Sequence, residues 1–514
     1  MKKLISLLLA MVMVLGLVAC GTKNDAPAAD APASAAEPTT LVYGSGDYDS
    51  INPIMNEHCE IKHLLFDSLV KLDINGEPVA SLAESWSYDE ATMTYTFQLR
   101  NDVKWHDGKL FSAYDVAYTL SAIKKAESSR LKGYLYGIAD YTARSNFVFE
   151  IQLTAPNSCF IEQLDFPVIQ RGTDCTSVQA DYVPVGTSAY RYAPALPGKA
   201  HVLEKSPNCV TQKQGKIEQV VLKELPRAAD AMYALENREI EAVHVDAELL
   251  RTYSPKGNVV TFPYTNRRFT FLGINAEGAL ADKQVRRAIS LVLNREEISK
   301  NAMFGRLTAS ELPFLPSSAY NLPPEENTAA EDPAAILEAA GYTKATDGQW
   351  EKETEEGIQR LYIPILVNQE NEVRCAAAAE IVKQLRAFGI GAEVRKTDFE
   401  TYNLWVEERE YSMFIGETLL ADDLDVLVFI GSGARFASAG SARMDTLYAN
   451  AQTAVTQSDK AAAFLELADA FSDEMPIISI GFGQNAVIVN DRIEGEIIPA
   501  YGNAFASFFA WNAK

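Results

Sequence analysis

The sequence lacks the motifs that mark the commoner active sites. None of its six cysteines forms a C-x-x-C pair, so neither a zinc site nor a dithiol redox site is indicated. The five histidines include no H-E-x-x-H pattern, and the chain has no G-x-S-x-G or Walker A sequence. Nothing in the sequence supports a hydrolase or an ATPase, so we expect a protein that is not an enzyme and holds no metal or cofactor.

Basic side chains are also scarce. The 514 residues carry 46 Lys and Arg against 69 Asp and Glu, which gives a formal net charge of −23. Because a nucleic-acid partner needs a basic face to neutralise its phosphates, this charge argues against one. The apolar content of 47% is ordinary for a globular protein. The length predicts two or more lobes.

Cysteine is rare, and its count limits disulfide pairing. If Cys20 is modified, as the leader below indicates, five cysteines remain, and an odd number cannot all pair. Cys159 and Cys175 are the closest candidates for a bridge, and buried free thiols are the alternative. The other three cysteines are Cys59, Cys209 and Cys375.

Long apolar runs are absent except at the start of the chain. Met1-Lys2-Lys3 precedes an apolar stretch from Leu4 to Val18. This stretch is shorter than the roughly 20 residues that a membrane-spanning helix requires. A basic start, a short apolar segment and small residues before a cleavage point are typical of a secretory signal.

The leader ends in Leu17-Val18-Ala19-Cys20-Gly21, which resembles the lipobox of bacterial lipoproteins. The resemblance implies that residues 1–19 are removed and that Cys20 is lipidated, which anchors the chain to the bilayer on the extracytoplasmic face of the cell membrane. An ordinary signal with a chance cysteine is the alternative. Residues 20–39 contain no aromatic or large aliphatic side chain, so they predict a flexible tether.

Beyond the tether, strand and helix patterns alternate, as in an α/β fold. Ser112 suits the N-cap position of a helix, and Gly389 suits the end of one. A strand–helix–strand order around residues 363–394 predicts a parallel unit. The other predicted elements are strands at 40–43, 94–99, 201–204 and 477–480, helices at 112–120 and 374–388, an amphipathic helix at 282–300 with a break near Asn294, and a late helix at 458–473 capped by Ser458.

Several motifs then follow one another in a characteristic order. They are the segments L-A-E-S-W, Y-T-F and V-K-W-H-D-G within residues 82–108, V-G-T-S-A-Y at 185–190, L-G-I-N at 272–275 with V-R-R-A-I-S at 285–290, G-Y at 341–342 and M-P-I-I at 475–478. Together they resemble the family 5 extracellular solute-binding proteins, the peptide- and nickel-binding receptors of ABC importers, over nearly all of residues 40–513. Ser188 stands where the family usually has Gly. The first half is most similar to the dipeptide-binding branch.

The resemblance implies an α/β fold with two lobes, like that of periplasmic binding proteins, and an extra subdomain inserted in the first lobe. Residues 40–271 would form the first lobe, with the subdomain at about 58–183, and residues 486–514 would complete it. Residues 272–485 would form the second lobe. The chain would cross between lobes near 271–275 and 481–485, and the ligand would bind in the cleft between them.

The resemblance also implies a partner for a ligand's ammonium group. In the peptide binders of the family an Asp meets this group and a Phe lies seven positions later. Asp422 and Phe429 fit this spacing, and Asp423 and Asp425 are the near alternatives. The plain alternative is that the three aspartates form a solvated acidic loop.

Two departures from the family pattern affect the predicted ligand. The Gly-Trp that usually precedes the Asp is replaced by Gly416-Glu417. In the dipeptide binders an Arg holds the ligand carboxylate, and Asn368 stands at its place here. Because Asn offers no bidentate, charge-assisted clamp, a longer or modified peptide is favoured. Arg374 is a weaker candidate for that carboxylate.

The end of the first predicted strand supplies the remaining site candidates. Gly44, Ser45 and Gly46 lie where the family approaches the ligand backbone, and glycines permit such close approach. A plain turn is the alternative. Asn56 and Glu57 follow as weaker candidates.

We therefore expect a lipid-anchored receptor that captures peptides, favouring oligopeptides, and delivers them to a membrane permease with separate ATPase subunits. A nickel or metal-chelate receptor of the same family is one alternative. His58 and His63 are five apart and do not share a helical face, which disfavours it. A peptide-sensing receptor is another alternative, which the sequence does not separate from transport. The fragment His106-Asp107-Gly108 is interpreted as a turn.

Overall fold

Two long strands that run through a large mixed sheet organise the chain. The structure is a computed structural model, and all the residues that it describes belong to one compact unit, Thr39–Lys514. It describes residues 39–46, 51–55, 61–126, 129–175, 182–193, 201–225, 227–246, 249–250, 256–318, 320–321, 331–420 and 426–514.

The strands of the described residues fall into one large sheet and four small ones. Their bounds are β1 Thr40–Ser45, β2 Val70–Leu72, β3 Pro78–Ala80, β4 Ala83–Asp89, β5 Thr94–Leu99, β6 Ile138–Ala143, β7 Val148–Leu153, β8 Tyr190–Ala193, β9 His201–Lys205, β10 Gln219–Glu224, β11 Ala242–Val245, β12 Val259–Ile274, β13 Leu307–Ala309, β14 Thr343–Lys344, β15 Trp350–Thr354, β16 Gly357–Arg360, β17 Tyr362–Asn368, β18 Gly391–Thr397, β19 Met413–Leu419, β20 Ile477–Asn490, β21 Ile493–Gly495 and β22 Trp511–Ala513.

The helices of the described residues are shorter than a bilayer is thick, or too polar, so none of them could cross a membrane. Their bounds are α1 Lys62–Leu65, α2 Ala113–Lys125, α3 Ala228–Glu236, α4 Lys283–Val292, α5 Arg295–Ala302, α6 Pro333–Ala339, α7 Glu372–Phe388, α8 Phe399–Glu408, α9 Leu427–Ile430, α10 Ala442–Thr453 and α11 Gln457–Glu474, with short 3-10 helices at Arg130–Leu135, Ile161–Leu164, Gly278–Ala281 and Phe508–Ala510.

The large sheet has the strand order β18-β17-β19-β12-β20-β11-β1-β10-β9-β8, with β13 also paired to β20. Its first half, β8 to β11 with β1, packs on the first lobe's core, and its second half, β13 and β17 to β19, packs on the second lobe's core. The strands β12 and β20 belong to both halves. The fold is therefore α/β with two lobes, as predicted.

The chain crosses between the lobes within β12 and β20. Thr265 pairs with Gln484 on the first-lobe side, Phe269 pairs with Phe482 on the second-lobe side, and the register shifts between these two pairs. Pairing with β19 of the second lobe already begins at Arg268. The register shift between Thr265 and Phe269 lies a few residues before the predicted crossing at 271–275. The predicted crossings and the lobe bounds that depend on them stay predictions.

A four-stranded antiparallel sheet, β4-β5-β7-β6, lies between β1 and β8 in sequence and packs with α2. Its apolar face buries Tyr95, Phe97 and Trp105, and these belong to the same core cluster as Leu41 of the first half-sheet. Tyr95 and Trp105 are therefore core residues, and this subdomain shares a core with the first lobe.

Local sequence patterns predicted most of the helix ends correctly. The Asp115 carboxylate accepts from the backbone N–H of Ser112 at 2.9 Å, which completes a capping box at the start of α2. Asn294 caps α5 and so divides the predicted 282–300 helix, and Gly389 ends α7 in the left-handed conformation. The strands β17 and β18 are parallel, as predicted.

The predicted cap of the late helix is wrong. The helix α11 begins at Gln457, and its cap is Thr456, not Ser458. The Thr456 hydroxyl accepts from the backbone N–H of Asp459 at 3.1 Å and donates to the Asp459 carboxylate at 2.7 Å. A Thr three positions before an Asp forms a reciprocal cap, which a lone Ser two positions later does not.

The candidate disulfide is absent. Cys159 and Cys175 are both free thiols, as are Cys209 and Cys375. Cys159 belongs to a core cluster of the second lobe and Cys175 to that of the first lobe, so folding separates the two side chains. The alternative of buried free thiols is correct for this pair.

Candidate functional site

The carboxyl ends of strands from both lobes face each other. The strand β12 runs from the first lobe to the second and is antiparallel to β20. Because β11 is also antiparallel to β20, and β1 and β10 are parallel to β11, these first-lobe strands point toward the second lobe. The strand β19 is antiparallel to β12 and parallel to β17, so these second-lobe strands point back. Ligands of α/β sheets bind outside such ends, and a cleft between lobes is a favoured place.

At the first-lobe edge, the three predicted residues have different environments. A methyl group on Gly44 would lie 2.5 Å from Cδ1 of Ile240, so this glycine serves close packing. Ser45 is buried, its hydroxyl donates to the Gly46 carbonyl at 3.3 Å, and its own carbonyl accepts from the N–H of Leu225. Gly46 is exposed, with no atom within 4 Å of where a side chain would begin. Gly46 is the one of the three that presents open backbone at this edge.

At the second-lobe edge, Asn368 ends β17. Its side-chain oxygen accepts from the N–H of Glu370 at 3.0 Å, and its carbonyl accepts from the Cys375 thiol at 3.5 Å. The residue is 8% exposed. The amide oxygen therefore holds the turn into α7, and a ligand contact would fall to the amide nitrogen. The ligand-binding role of Asn368 stays a prediction.

Beside Asn368 lies a group of charges that the sequence analysis did not assemble. The carboxylate of Glu417 lies 2.7 Å from Nη1 of Arg268 and 3.8 Å from Nη2 of Arg374. The side chains of Glu417 and Arg374 are 19% and 18% exposed. We call these three residues the junction charges. They carry two cations and one anion, so they leave an excess of positive charge next to the crossing in β12.

Burial and packing hold the junction charges in place. The hydroxyl of Tyr402 donates to the carbonyl of Ile415 in β19 at 2.8 Å. Burial raises the pKa of this Tyr402 hydroxyl well above its ordinary value, and the nearby Arg374 cation opposes that shift. Nε of Arg374 is buried and has no hydrogen-bond partner among the described atoms. The sequence offers two signals for this group, Glu417, which replaces the Trp of the family pattern, and Arg374, the weaker candidate for the ligand carboxylate.

The crossing also carries an arginine that contacts the first lobe. Arg267 is 8% exposed, and its guanidinium lies 4.6 Å from the ring centre of Tyr501, near the C-terminus of the chain. Its carbonyl accepts from the N–H of Leu420 at 2.9 Å. This residue therefore links the end of β19 to the first lobe, and no local pattern in the sequence indicated it.

Polar side chains also connect β12 and β20 at the crossing. The amide of Asn266 donates to the side-chain oxygen of Asn485 at 2.8 Å, and the amide of Asn485 lies 3.4 Å from the hydroxyl of Tyr264. The hydroxyls of Thr265 and Thr308 lie 3.0 Å apart. A crossing built from exchangeable hydrogen bonds can change its angle at lower cost than a packed apolar core.

The remaining predicted site residues lie outside the described residues. They are Asp422, Asp423, Asp425, Asn56, Glu57 and the lipidation site Cys20. In the sequence, Asp422 follows the end of β19 by three residues, and its ligand-binding role stays a prediction. Phe429 is described and is fully buried, with its ring centre 5.0 Å from that of Phe271. Phe429 is thus a core residue of the second lobe.

The histidines of the described region serve structural contacts. Nε2 of His63 lies 2.8 Å from the carbonyl of Gly502. His106 accepts from the N–H of Gly186 at Nδ1 and donates from Nε2 to the carbonyl of Ser188, and it lies in the turn that was predicted for His106-Asp107-Gly108. Across the described ranges, no three His, Cys, Asp or Glu side chains are grouped so that they could hold a metal ion.

Similar proteins share this organisation. The chain is 22% identical to the oligopeptide-binding protein AppA of Bacillus subtilis (strain 168), over 96% of this chain and 95% of that protein. It is 23% identical to the nickel-binding periplasmic protein of Escherichia coli (strain K12), over 54% of this chain and 56% of that protein. The solved structure of a nickel ABC transporter protein from Bacillus halodurans has the same fold, with a TM-score of 0.75 at 20% identity over 89% of this chain and 96% of that one.

A sequence profile of the bacterial extracellular solute-binding proteins, family 5, matches residues 77–432, which is more than half of the chain. The similarity to the solved structure extends over the α/β fold as a whole. The chain belongs to the family 5 extracellular solute-binding proteins.

Proposed function

We propose that this protein is a lipid-anchored receptor that captures an oligopeptide between its lobes and delivers it to the permease of an ABC importer. The observation that carries this proposal is the arrangement of the sheet, in which the carboxyl ends of strands from both lobes face each other and β12 and β20 run through both halves. A ligand that touches both edges favours the closed form, because only a difference in affinity between two states shifts their balance.

A peptide suits the groups at these edges. Its backbone needs hydrogen-bond partners wherever it leaves water, and at the first-lobe edge the exposed Gly46 leaves room for that backbone to approach closely. Its ammonium group needs an anion, for which we assign Asp422, with Asp423 and Asp425 as the near alternatives. Its carboxylate needs a cation, and the junction charges carry one cation more than anions.

The chemistry of the second-lobe edge favours a peptide longer than two residues. Asn368 stands where a dipeptide binder would clamp the carboxylate, and its amide oxygen is already engaged in a turn. Arg374 lies six residues further along the chain and shares Glu417 with Arg268. A carboxylate that reaches these arginines comes from a ligand of greater length or from an acidic side chain.

The proposed function also includes a lipid anchor and a separate ATPase. Lipidated Cys20 would hold the protein to the membrane through the tether of residues 20–39. The chain has no Walker A sequence, so the ATPase that powers import belongs to another polypeptide.

The first experiment identifies the natural cargo. The purified protein is mildly denatured, and the small molecules that it releases are analysed by mass spectrometry. We expect peptides of three or more residues, in stoichiometric amounts and without cleavage products after incubation. Release of nickel or a metal chelate, or heat on titration with either one, would instead indicate the metal-binding branch of the family.

The second experiment tests the ammonium partner. Asp422→Asn should weaken the binding of a peptide with a free amino terminus by about 10- to 100-fold, and it should affect the N-acetylated peptide much less. Isothermal titration measures both affinities. Asp469→Asn, which changes an exposed carboxylate on α11, is the matched control. Equal losses for the two peptides would contradict the assigned role of Asp422.

A further inference from the structure

Residues 157–162 of the subdomain contact the second lobe, although the subdomain shares its core with the first lobe. The backbone N–H of Ser158 donates to the carbonyl of Gln452 at 2.8 Å, and its hydroxyl donates to the carbonyl of Ala451 at 2.7 Å. Both carbonyls belong to the last turn of α10, where helix geometry leaves carbonyls without their usual i+4 donors, and the Ala451 carbonyl also accepts the N–H of Ala454 at 3.4 Å. A residue of the first lobe thus caps a helix of the second.

A buried ion pair lies beside this cap. The ammonium group of Lys460, on α11, contacts the carboxylate of Glu162, and the two side chains are 2% and 13% exposed. Burial alone would favour the neutral amine, but the attraction of Glu162 outweighs it and leaves the pKa of Lys460 above its ordinary value. Loss of either partner would leave an unpaired charge in this contact.

Between the cap and the ion pair, a side chain of the first lobe enters the second lobe's core. Cys159 is fully buried and belongs to the core cluster that contains Phe464 and Leu467 of α11. Its own backbone is held by the Asn157 side chain, which accepts the N–H of Cys159 at 2.9 Å.

The subdomain cannot follow the second lobe when the lobes separate. His106 and Gly186 exchange two hydrogen bonds, of 2.8 and 3.1 Å, that join the subdomain to the segment leading into β8. The hydroxyl of Thr187 donates to Asp67 at 2.8 Å, and both residues are buried. A rotation about the crossing in β12 and β20 must therefore pull residues 157–162 away from α10 and α11.

The contact between residues 157–162 and the second lobe leaves one buried polar atom without a hydrogen bond. Oε2 of Glu162 is buried and has no hydrogen-bond partner among the described atoms. A buried acceptor without a partner reduces the net stability of the contact that buries it. Such a contact is suited to repeated release.

We propose that residues 157–162 are a latch that docks on α10 and α11 when the lobes close, and that the pair Glu162–Lys460 sets the fraction of closed protein. The latch is a property of the free protein. The effect of the latch on ligand affinity rests on the proposed function, in which the ligand binds between the lobes. The apparent affinity of such a receptor depends on the fraction of protein that is closed without ligand.

Cys159 reports directly on the latch. It is shielded only as long as the contact holds, whereas Cys175 is buried within the first lobe's core and serves as an internal reference. The ligand-free, full-length protein is treated with iodoacetamide, and the alkylation rate at each cysteine is measured by peptide mass spectrometry. Lys460→Met should accelerate alkylation of Cys159 at least tenfold and leave Cys175 unchanged.

The direction of the change in alkylation rate distinguishes opening of the latch from a change in the reactivity of the Cys159 thiol. Removing the Lys460 cation disfavours the thiolate, so chemistry alone would slow the alkylation of Cys159. Ser158→Ala, which changes no charge, should also raise the rate, and the exchange of Glu162→Lys with Lys460→Glu should restore protection. Lys283→Met, which breaks an exposed ion pair between α4 and α11, is the matched control and should have no effect.

An unchanged or slower alkylation rate at Cys159 in Lys460→Met would overturn the latch. An equal rise at Cys159 and Cys175 would overturn it too, since that would indicate a general loss of stability.

A tryptic digest of casein then serves as the peptide probe. We expect it to slow the alkylation of Cys159 in the unaltered protein. A digest without effect counts against peptide binding, whereas the ligand-free comparison tests the latch by itself.

Discussion

A methyl group on Gly186 would lie 1.7 Å from the carbonyl oxygen of Leu65. The same oxygen accepts the N–H of Ser188 at 3.2 Å, so the backbone at 186–188 is pressed against the end of α1. This contact joins the V-G-T-S-A-Y segment to the subdomain. It explains why that motif carries a glycine at this place.

Gly186→Ala should therefore destabilise the first lobe strongly. The obstacle is backbone and cannot move aside as a side-chain tip can, so we expect a loss of at least about 3 kcal/mol in the free energy of unfolding. Gly133→Ala is the control, because nothing lies within 4 Å of its added methyl group. Urea and thermal unfolding measure both variants. Equal stability of the two would contradict the packing described for Gly186.

Arg286 should stabilise the second lobe far more than its neighbour Arg287. The guanidinium of Arg286 is buried and donates to four backbone carbonyls, including those of Met475 and Glu474 at the end of α11. Arg286→Met leaves these acceptors without partners, and we expect a loss of about 3 kcal/mol or more. Arg287→Met breaks only its ion pair with Glu331 at the surface and should cost about 1 kcal/mol or less. The midpoints of urea unfolding compare the two variants, and similar midpoints would refute the assigned role.

His63 should make the protein sensitive to mild acid. Burial holds the pKa of His63 well below its ordinary value of about 6.5, and the nearby Lys62 adds to the shift. Below about pH 6.5, His63 binds a proton in the unfolded chain but stays neutral in the folded protein. The free energy of unfolding therefore falls as the pH drops, by up to about 1.4 kcal/mol per pH unit.

His63→Gln removes this contribution and keeps a donor for the Gly502 carbonyl. We expect the difference in unfolding free energy between the two proteins to be constant from pH 7.5 to 8.5. Between pH 7 and 5.5 it should change by about 1 kcal/mol or more, in favour of the variant. Curves that stay parallel over the acidic range would contradict a buried neutral His63.

Glu417 should tune the charge preference of the cleft. Its carboxylate partly neutralises Arg268 and Arg374, so Glu417→Gln increases the positive charge beside the crossing. If the cleft takes peptides, the affinity for an acidic peptide relative to its neutral counterpart should rise by about three- to tenfold. Competition binding at two salt concentrations measures the ratio, with the exposed Glu410→Gln as control. A ratio that does not change places the junction charges outside the binding site.

Most helix ends could be predicted from the sequence, because they depend on neighbouring residues, whereas the leader and the tether stay predictions. Ser112 with Asp115 lies within one helical turn, and Gly389 adopts a conformation that few other residues favour. The wrong prediction of Ser458 as a cap was also local, because the observed cap, Thr456, lies only two residues earlier and is fixed by its hydrogen bonds with Asp459.

The roles of Asp422, Asp423 and Asp425 depended on the resemblance to a family and stay predictions. The junction charges could not be predicted at all, because Arg268 and Arg374 lie 149 and 43 positions from Glu417 in the chain. Only the pairing of β12 with β19 and the placement of α7 bring them to one carboxylate.

The sequence by itself determined the α/β alternation and the membership of the family, since periodicity, capping and motif order are written in short stretches of chain. The tertiary structure decided where the chain crosses between lobes and which distant residues meet there. It also decided that Cys159, in the first lobe's subdomain, is buried in the core of the second lobe. The physical reason is that such contacts depend on the register of β12 and β20 and on the packing of whole lobes, which no local pattern encodes.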